Sequence, residues 1–327
     1  MSIHAFAALD PATYARHELH VAENAWNEKN CYIDVWIEVL HALGLDPIAC
    51  LPFVLAVDFE GDQWTFFKPP HEDLVTMYGI DVQELNVWRP LVEHVVQHLG
   101  DGKLVLTEAN SFWLPDTQGT DYRTNHVKTT IGIQEIDVDA QVLGYFHNSG
   151  YHRLSGEDFV ATFRIGAAPD PTFLPLFAEF VRLGHRVRHE DATLTRRSIE
   201  LLAKHLARRP EGNPAARFRA RFPKDVEWMQ REGLAAYHAH AFAHVRQLGA
   251  AFELGATYVR WLEKRGEKDL EPIAVHFDAI STNAKSLILK TARAVNAKRE
   301  VDFSPILGAI EEAWAAGTGA LASRYGG

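Results

Sequence analysis

The sequence predicts an α+β domain followed by an all-α domain. Helical and strand patterns alternate through about residue 165. The Pro-rich stretch AAPDPTFLP then interrupts them. Beyond it the apolar spacing is helical over long spans and strand signals nearly vanish. These observations put the domains at 1–167 and 168–327, and a chain of 327 residues suits two domains. No repeat of fixed period is visible.

In chain order, Ile33, Trp36, Ile37, Leu40 and Leu43 fall at helical spacing from Cys31 onward, with Gly44 at the C-cap and Pro47 as a stop. LPFVLAVDFEGDQWTFF reads as two strands around an acidic turn. DVQELNVWRPLVEHVVQHLG reads as a helix closed by Gly100, and KLVLTEANSFWLP as a strand. NHVKTTIGIQEI and AQVLGYFHN read as a strand pair. LSGEDFVATF opens a helix with Ser155 as N-cap and Asp158 at N3. The helical half comprises Leu194–Arg208, Val226–Arg265, Leu270–Lys298 and Phe303–Ala322.

Composition narrows the function classes. Apolar residues make up 47% and charged residues 23%, which is globular usage. The net charge of −10 argues against nucleic acid as partner. Two cysteines cannot build a disulfide framework, which points to a reducing compartment. The N-terminus lacks a basic segment followed by an apolar run, and the apolar stretch Ile48–Val57 is broken by Pro52. The expectation is a cytoplasmic protein with no membrane partner. Charge is uneven: 182–224 holds 12 Lys or Arg against 4 Asp or Glu. That is either a solvated helical face or a docking surface for an acidic, phosphate-bearing partner, with Arg197, Lys204 and Arg208 sharing one helix side.

Cys31 is the leading candidate for chemistry. A thiol in a first helical turn faces the positive end of the helix dipole, which favours the nucleophilic thiolate. The competing reading is a small buried apolar residue, the commoner fate of a free cysteine and the one assigned to Cys50. A thiolate nucleophile requires a base, and the base an orienting group. His126 opens one strand of the pair, and His147 and Asn148 close the other, which puts them at one end of a hairpin.

The order Cys31, His126, Asn148 resembles the papain-like cysteine fold, and the strands leading into LSGEDF resemble its C39-like, bacteriocin-processing branch. NCYIDVWIEVLHALGLDP, DFEGDQWTFFKPP, HVKTTIGI and YFHNSGYHRLSGEDF also resemble a bacterial domain-of-unknown-function family that accompanies amino acid:carrier-protein ligases. More distantly, the N-terminal half is similar to the butirosin-type acyltransferase. The resemblance implies a papain-like N-terminal domain ahead of a helical bundle. It implies an acyltransferase that takes an aminoacyl group from a carrier-protein thioester onto a small amine. Cys31 is then the nucleophile and His126 the base, with Asn148 or His147 holding the imidazole. Phosphopantetheine arrives on the carrier, an acidic acyl or aminoacyl carrier protein, and no cofactor is resident. The alternatives are a cysteine hydrolase or a non-catalytic binding module of the same fold. The glutamine that papain-like enzymes place before the cysteine is missing, and Glu23, Asn24, Asn27 and Asn30 occupy that stretch. Asn27 and Asn30 are candidate oxyanion donors, and Asp116 and Tyr122 candidate cleft residues.

His240 and His244 stand at metal-clip spacing with His238 nearby, but no third ligand is evident, and no metal is expected. Asp58, Glu60 and Asp62 are expected to shape a turn, with Lys68 pairing one of them. His4, His17, His20, His185 and His189 show no ligand spacing.

Overall fold

A computed structural model describes residues 1–21, 24–168, 170 and 172–326. The elements in chain order begin with β1 (Ile3–His4), α1 (Cys31–Ala42), β2 (Phe59–Glu60), β3 (Gln63–Trp64), α2 (His71–Tyr78), β4 (Asp81–Glu84) and α3 (Leu91–Gly100). There follow β5 (Lys103–Asn110), β6 (Lys128–Asp137), β7 (Val142–His147), β8 (Gly150–Ser155), α4 (Glu157–Thr162) and β9 (Ala178–Arg182). The remainder is helical: α5 (Asp191–Ala207), α6 (Pro214–Glu232), α7 (Leu234–His240), α8 (Arg246–Lys264), α9 (Glu271–Ala297) and α10 (Ser304–Tyr325). The chain is therefore mixed α+β with an antiparallel sheet and a helical C-terminal region.

It divides into two compact units. The first is Met1–Val21, Asn30–Leu45 and His71–Arg188, and the second Ala22–Lys29, Asp46–Pro70 and His189–Gly327. The division falls after Arg188 rather than at 167, because the chain beyond the Pro-rich stretch returns to the sheet as β9. Segments 22–29 and 46–70, read as N-terminal domain, belong to the helical unit.

In the first unit the sheet runs β4-β9-β5-β6-β7-β8, with β1 paired to β6. All pairings are antiparallel, with a bulge on β6 between Ile133 and Glu135. Helix α1 packs on β6 where Gly132 removes the side chain: a Cβ there would lie 2.9 Å from Val35 Cγ1. Asn30 caps α1 by accepting from the Tyr32 and Ile33 amides at 3.2 and 3.1 Å. Gly44, at φ +70°, ends it as the spacing predicted.

Three local expectations are corrected. Pro47–Ala56 is a buried 3-10 run with Asp46 as N-cap, so only short β2 and β3 remain of the strand pair. Strand β4 occupies the start of the segment read as one helix, and α3 begins after Pro90, which cannot donate within a helix. Ser155 ends β8, and Gly156 at φ +60° is the N-cap of α4.

Helix α1 also buries two carboxylates, Asp34 and Glu38, one turn apart and at 0% exposure. His20, equally buried, lies between them: Nδ1 faces Glu38 Oε1, and Nε2 lies 3.0 Å from Asp34 Oδ1. Glu38 also accepts from the Tyr14 hydroxyl at 2.6 Å and the His17 amide at 3.1 Å. Burial pushes the Glu38 carboxyl up, but His20, Tyr14 and the His17 amide outweigh it and hold the group below the usual range.

In the second unit, Trp26 packs on α8 at Gly249, where a Cβ would fall 2.4 Å from the indole. Its Nε1 donates to Ser281 Oγ at 2.9 Å. Glu253 accepts from the Ala25 amide at 2.7 Å and lies 3.8 Å from the buried Lys29 ammonium. Asp58, beside the β2–β3 turn, pairs with Arg217.

Two predictions follow from this packing. Gly132→Ala should cost about 1–3 kcal/mol in urea unfolding, because the added methyl overpacks the α1–β6 contact. A variant as stable as the parent refutes that contact. Glu38→Gln should be less stable at pH 7 by about 3 kcal/mol. The Glu38 pKa is depressed on folding, so its contribution is present above the unfolded value of about 4.3 and lost as pH falls through the folded value. The gap between variant and parent should therefore close in acid, and a pH-independent gap contradicts the assignment.

Candidate functional site

Cys31 is the first residue of α1 and partly exposed, whereas Cys50 is buried. The Cys31 thiol donates to Thr130 Oγ1 at 3.7 Å. Thr130 and Gly132 project from the same face of β6, the face that α1 covers. The helix start thus sits over the sheet with the thiol directed at β6.

His126 does not share a hydrogen bond with Cys31 among the described residues. It precedes β6, is exposed, and stacks on Phe112 with ring centroids 4.3 Å apart. Its Nδ1 accepts from the Asn110 amide nitrogen at 2.8 Å. Asn110 Oδ1 is taken by the Phe112 amide at 3.2 Å, which settles which end of the side chain meets the ring. A neutral His126 therefore carries its proton on Nε2. β6 begins only at Lys128, and it is Thr130 that meets the thiol.

His147 and Asn148 do not orient His126 either. The Gly132–Phe146 pairing puts Phe146 on the α1 face and His147 on the other. There His147, 1% exposed, lies 2.8 Å from Thr129 Oγ1 through Nε2 and 2.6 Å from Asp116 Oδ2 through Nδ1. Asp116 also accepts from the Tyr145 hydroxyl at 2.5 Å. Burial raises the Asp116 carboxyl, but His147, His152 and Tyr145 together hold it below the usual range. Asn148, at φ +46°, is in the two-residue turn between β7 and β8, a left-handed position that asparagine tolerates. Tyr122, expected in a cleft, donates to Asp158 at 2.9 Å and ties its turn to α4 beside the Arg123–Asp158 pair.

Of the candidate oxyanion donors, Asn30 spends its side-chain oxygen on the cap. Asn27 is exposed and belongs with Asn24 to the other unit. Glu23 lies outside the described residues.

Sequence reasoning missed a cluster on the α1 face. The Tyr32 hydroxyl donates to Glu179 Oε2 at 2.8 Å and lies 2.9 Å from His71 Nε2, which is 3.3 Å from Glu179 Oε1. The strand pairings put Glu179, Leu106, Glu108 and Thr130 on one sheet face. Glu179 is buried, while the His71 side chain is 35% exposed. With the Tyr32 proton on Glu179, Nε2 of a neutral His71 carries its own proton and Nδ1 keeps its lone pair. Burial and the Glu179 charge push the Tyr32 phenol well up. Neither the Pro-Pro-His start of α2 nor Glu179 has a spacing to Cys31 that sequence could have exposed.

The three cations expected to share one helix side differ in exposure. Arg197 and Lys204 are half-buried, and Arg208 alone of the three is exposed. Other cations of that segment are paired: Arg196 with Glu200 at 2.6 Å, Arg219 with Glu311 at 3.1 Å and Arg221 with Asp225 at 2.7 Å. His240 and His244 stack at 4.4 Å, and burial with the His240 charge pushes His244 down to about 4. Among the described residues no group of three His, Cys, Asp or Glu could hold a metal. No described helix is long and apolar enough to cross a membrane.

Two family models match: the DUF1839 N-terminal domain over residues 15–183 and the DUF1839 C-terminal domain over residues 191–323. The chain belongs to the DUF1839 family. Comparison with curated proteins gives no match. The boundary between the two DUF1839 domains brackets Arg188, where the fold divides.

Asp116→Ala tests the separation of the two sheet faces. It leaves the His147 ring and the Tyr145 hydroxyl without their buried acceptor and should cost about 3 kcal/mol in urea unfolding. Alkylation of Cys31 by iodoacetamide in the folded variant should be unchanged. A changed rate couples His147 to the thiol.

Proposed function

We propose that this DUF1839 chain is a cysteine-dependent acyltransferase in which Cys31 carries the acyl group. The observation that supports it best is the placement of Cys31: partly exposed, first in a capped 12-residue helix, with its thiol on the sheet. The papain-like relationship, the link to amino acid:carrier-protein ligases and the aminoacyl carrier as donor come from the sequence resemblance. In the reaction, the Cys31 sulfur attacks the thioester carbonyl and the carrier's phosphopantetheine thiol leaves with a proton. An amine then attacks the Cys31 thioester, and the thiol is regenerated.

The resemblance assigns the base to His126. Its Nδ1 lone pair is engaged by Asn110 in the resting arrangement, so the ring must leave Asn110 to use that nitrogen. His71, oriented by Glu179 and with no Nδ1 hydrogen bond among the described residues, is the competing base on the sheet face that Cys31 meets. One observation favours a second reading, a binding module without catalysis: the thiol and His126 share no hydrogen bond.

Incubation with a synthetic glycyl-pantetheine thioester, followed by intact mass spectrometry, should show one glycyl group on the parent and none on Cys31→Ala. No adduct on the parent, together with alkylation of Cys31 no faster than of free cysteine, establishes the binding-module reading. The base is read from the acylation rate: His126→Ala or His71→Ala should slow it by about 100-fold or more, according to which acts. Acylation at the parent's rate in both variants excludes both.

A further inference from the structure

We propose that the first unit holds a second site, a pocket for a small organic anion with a flat apolar body, between the start of α3 and the chain following α4. The pocket encloses about 370 Å³, within the range of small-molecule sites. Its walls are apolar, with Trp88, Leu91 and Phe173 among them. Trp88 is 78% exposed, a large aromatic surface left open to solvent.

The polar groups around these walls are donors, and the carboxylates that face the two arginines do so only as loose ion pairs. Arg89 lies over the Trp88 ring at 5.2 Å and Arg164 over the Phe173 ring at 3.8 Å. Their nearest carboxylates, Glu93 and Asp170, stand 3.7 and 3.9 Å away, beyond hydrogen-bond reach. Among the described residues, buried Arg89 Nε and Thr162 Oγ1 have no hydrogen-bond partner. The N-terminus of α3 opens at the same place, and its cap, Pro90, supplies no side-chain acceptor. Two guanidiniums, a hydroxyl and an uncapped helix start around an aromatic wall suit a carboxylate or phosphate joined to a planar apolar group. A bound oxyanion accepts from the orphaned donors, and stacking on Trp88 selects the body.

The site is independent of Cys31 and of the acyl-transfer reading. Titration calorimetry with phenyl phosphate, inorganic phosphate and benzyl alcohol tests it on the full chain. Phenyl phosphate should bind at least tenfold tighter than either of the others. Arg89→Gln/Arg164→Gln should weaken phenyl phosphate at least tenfold, and Trp88→Ala should erase its advantage over inorganic phosphate. Cys31→Ala should bind as the parent does. Thermal melts check that the variants fold, and Thr162→Val, a smaller change, should weaken binding severalfold in the same direction. The proposal is overturned by any of three results: no heat with millimolar phenyl phosphate, undiminished binding in the double arginine variant, or inorganic phosphate binding as tightly as phenyl phosphate.

Discussion

The close approach of α1 to β6 at Gly132 is the constraint on which the first unit depends. Without a Cβ at that position the helix comes down onto the strand, and Val35 fills the vacated space. One helical turn earlier along α1 and two residues earlier along β6, the same approach brings Cys31 to Thr130. Tyr32, the next residue, reaches across to His71 and Glu179. The position of the thiol is thus a consequence of backbone packing rather than of a bond to a partner imidazole.

The sheet separates two sets of polar groups that lie close together in sequence. Thr129 and Thr130 are adjacent, yet one joins His147 and Asp116 while the other joins Cys31. Side chains alternate across a strand, so neighbours in the chain serve opposite faces. The Thr129–His147–Asp116–Tyr145 chain satisfies every polar group it buries and ties the turn carrying Asp116 to β6 and β7. That is the character of a structural network. The cluster at Tyr32 differs, because it ends in a half-exposed imidazole.

α1 is unusual in burying charge as well as apolar surface. Asp34 and Glu38 would be costly inside the fold alone, and His20 and Tyr14 satisfy them from the N-terminal segment. The arrangement anchors residues 14–20 to the helix that carries Cys31. His20 has no ligand spacing in the sequence because its partners, Asp34 and Glu38, stand one helical turn apart on a different element.

The local features that the sequence predicts correctly are those set by short-range physics. α1 starts at Cys31 and is ended by Gly44 with its left-handed backbone, and β5, β6 and β7 follow from β-branched and apolar runs. Family membership was legible for a related reason: the two matched domains are contiguous stretches of chain. The tertiary structure decided the rest. It returned β9 to the sheet beyond the Pro-rich stretch, assigned 22–29 and 46–70 to the helical unit, and turned Pro47–Ala56 into a 3-10 run. It also held His126 on Asn110 and Phe112, set His147 on the far face, and gathered His71 and Glu179 beside Tyr32. Chain order is preserved in a sequence, but which face a side chain takes, and which distant residue fills the space opposite, depends on strand register and packing between elements that sequence spacing does not encode.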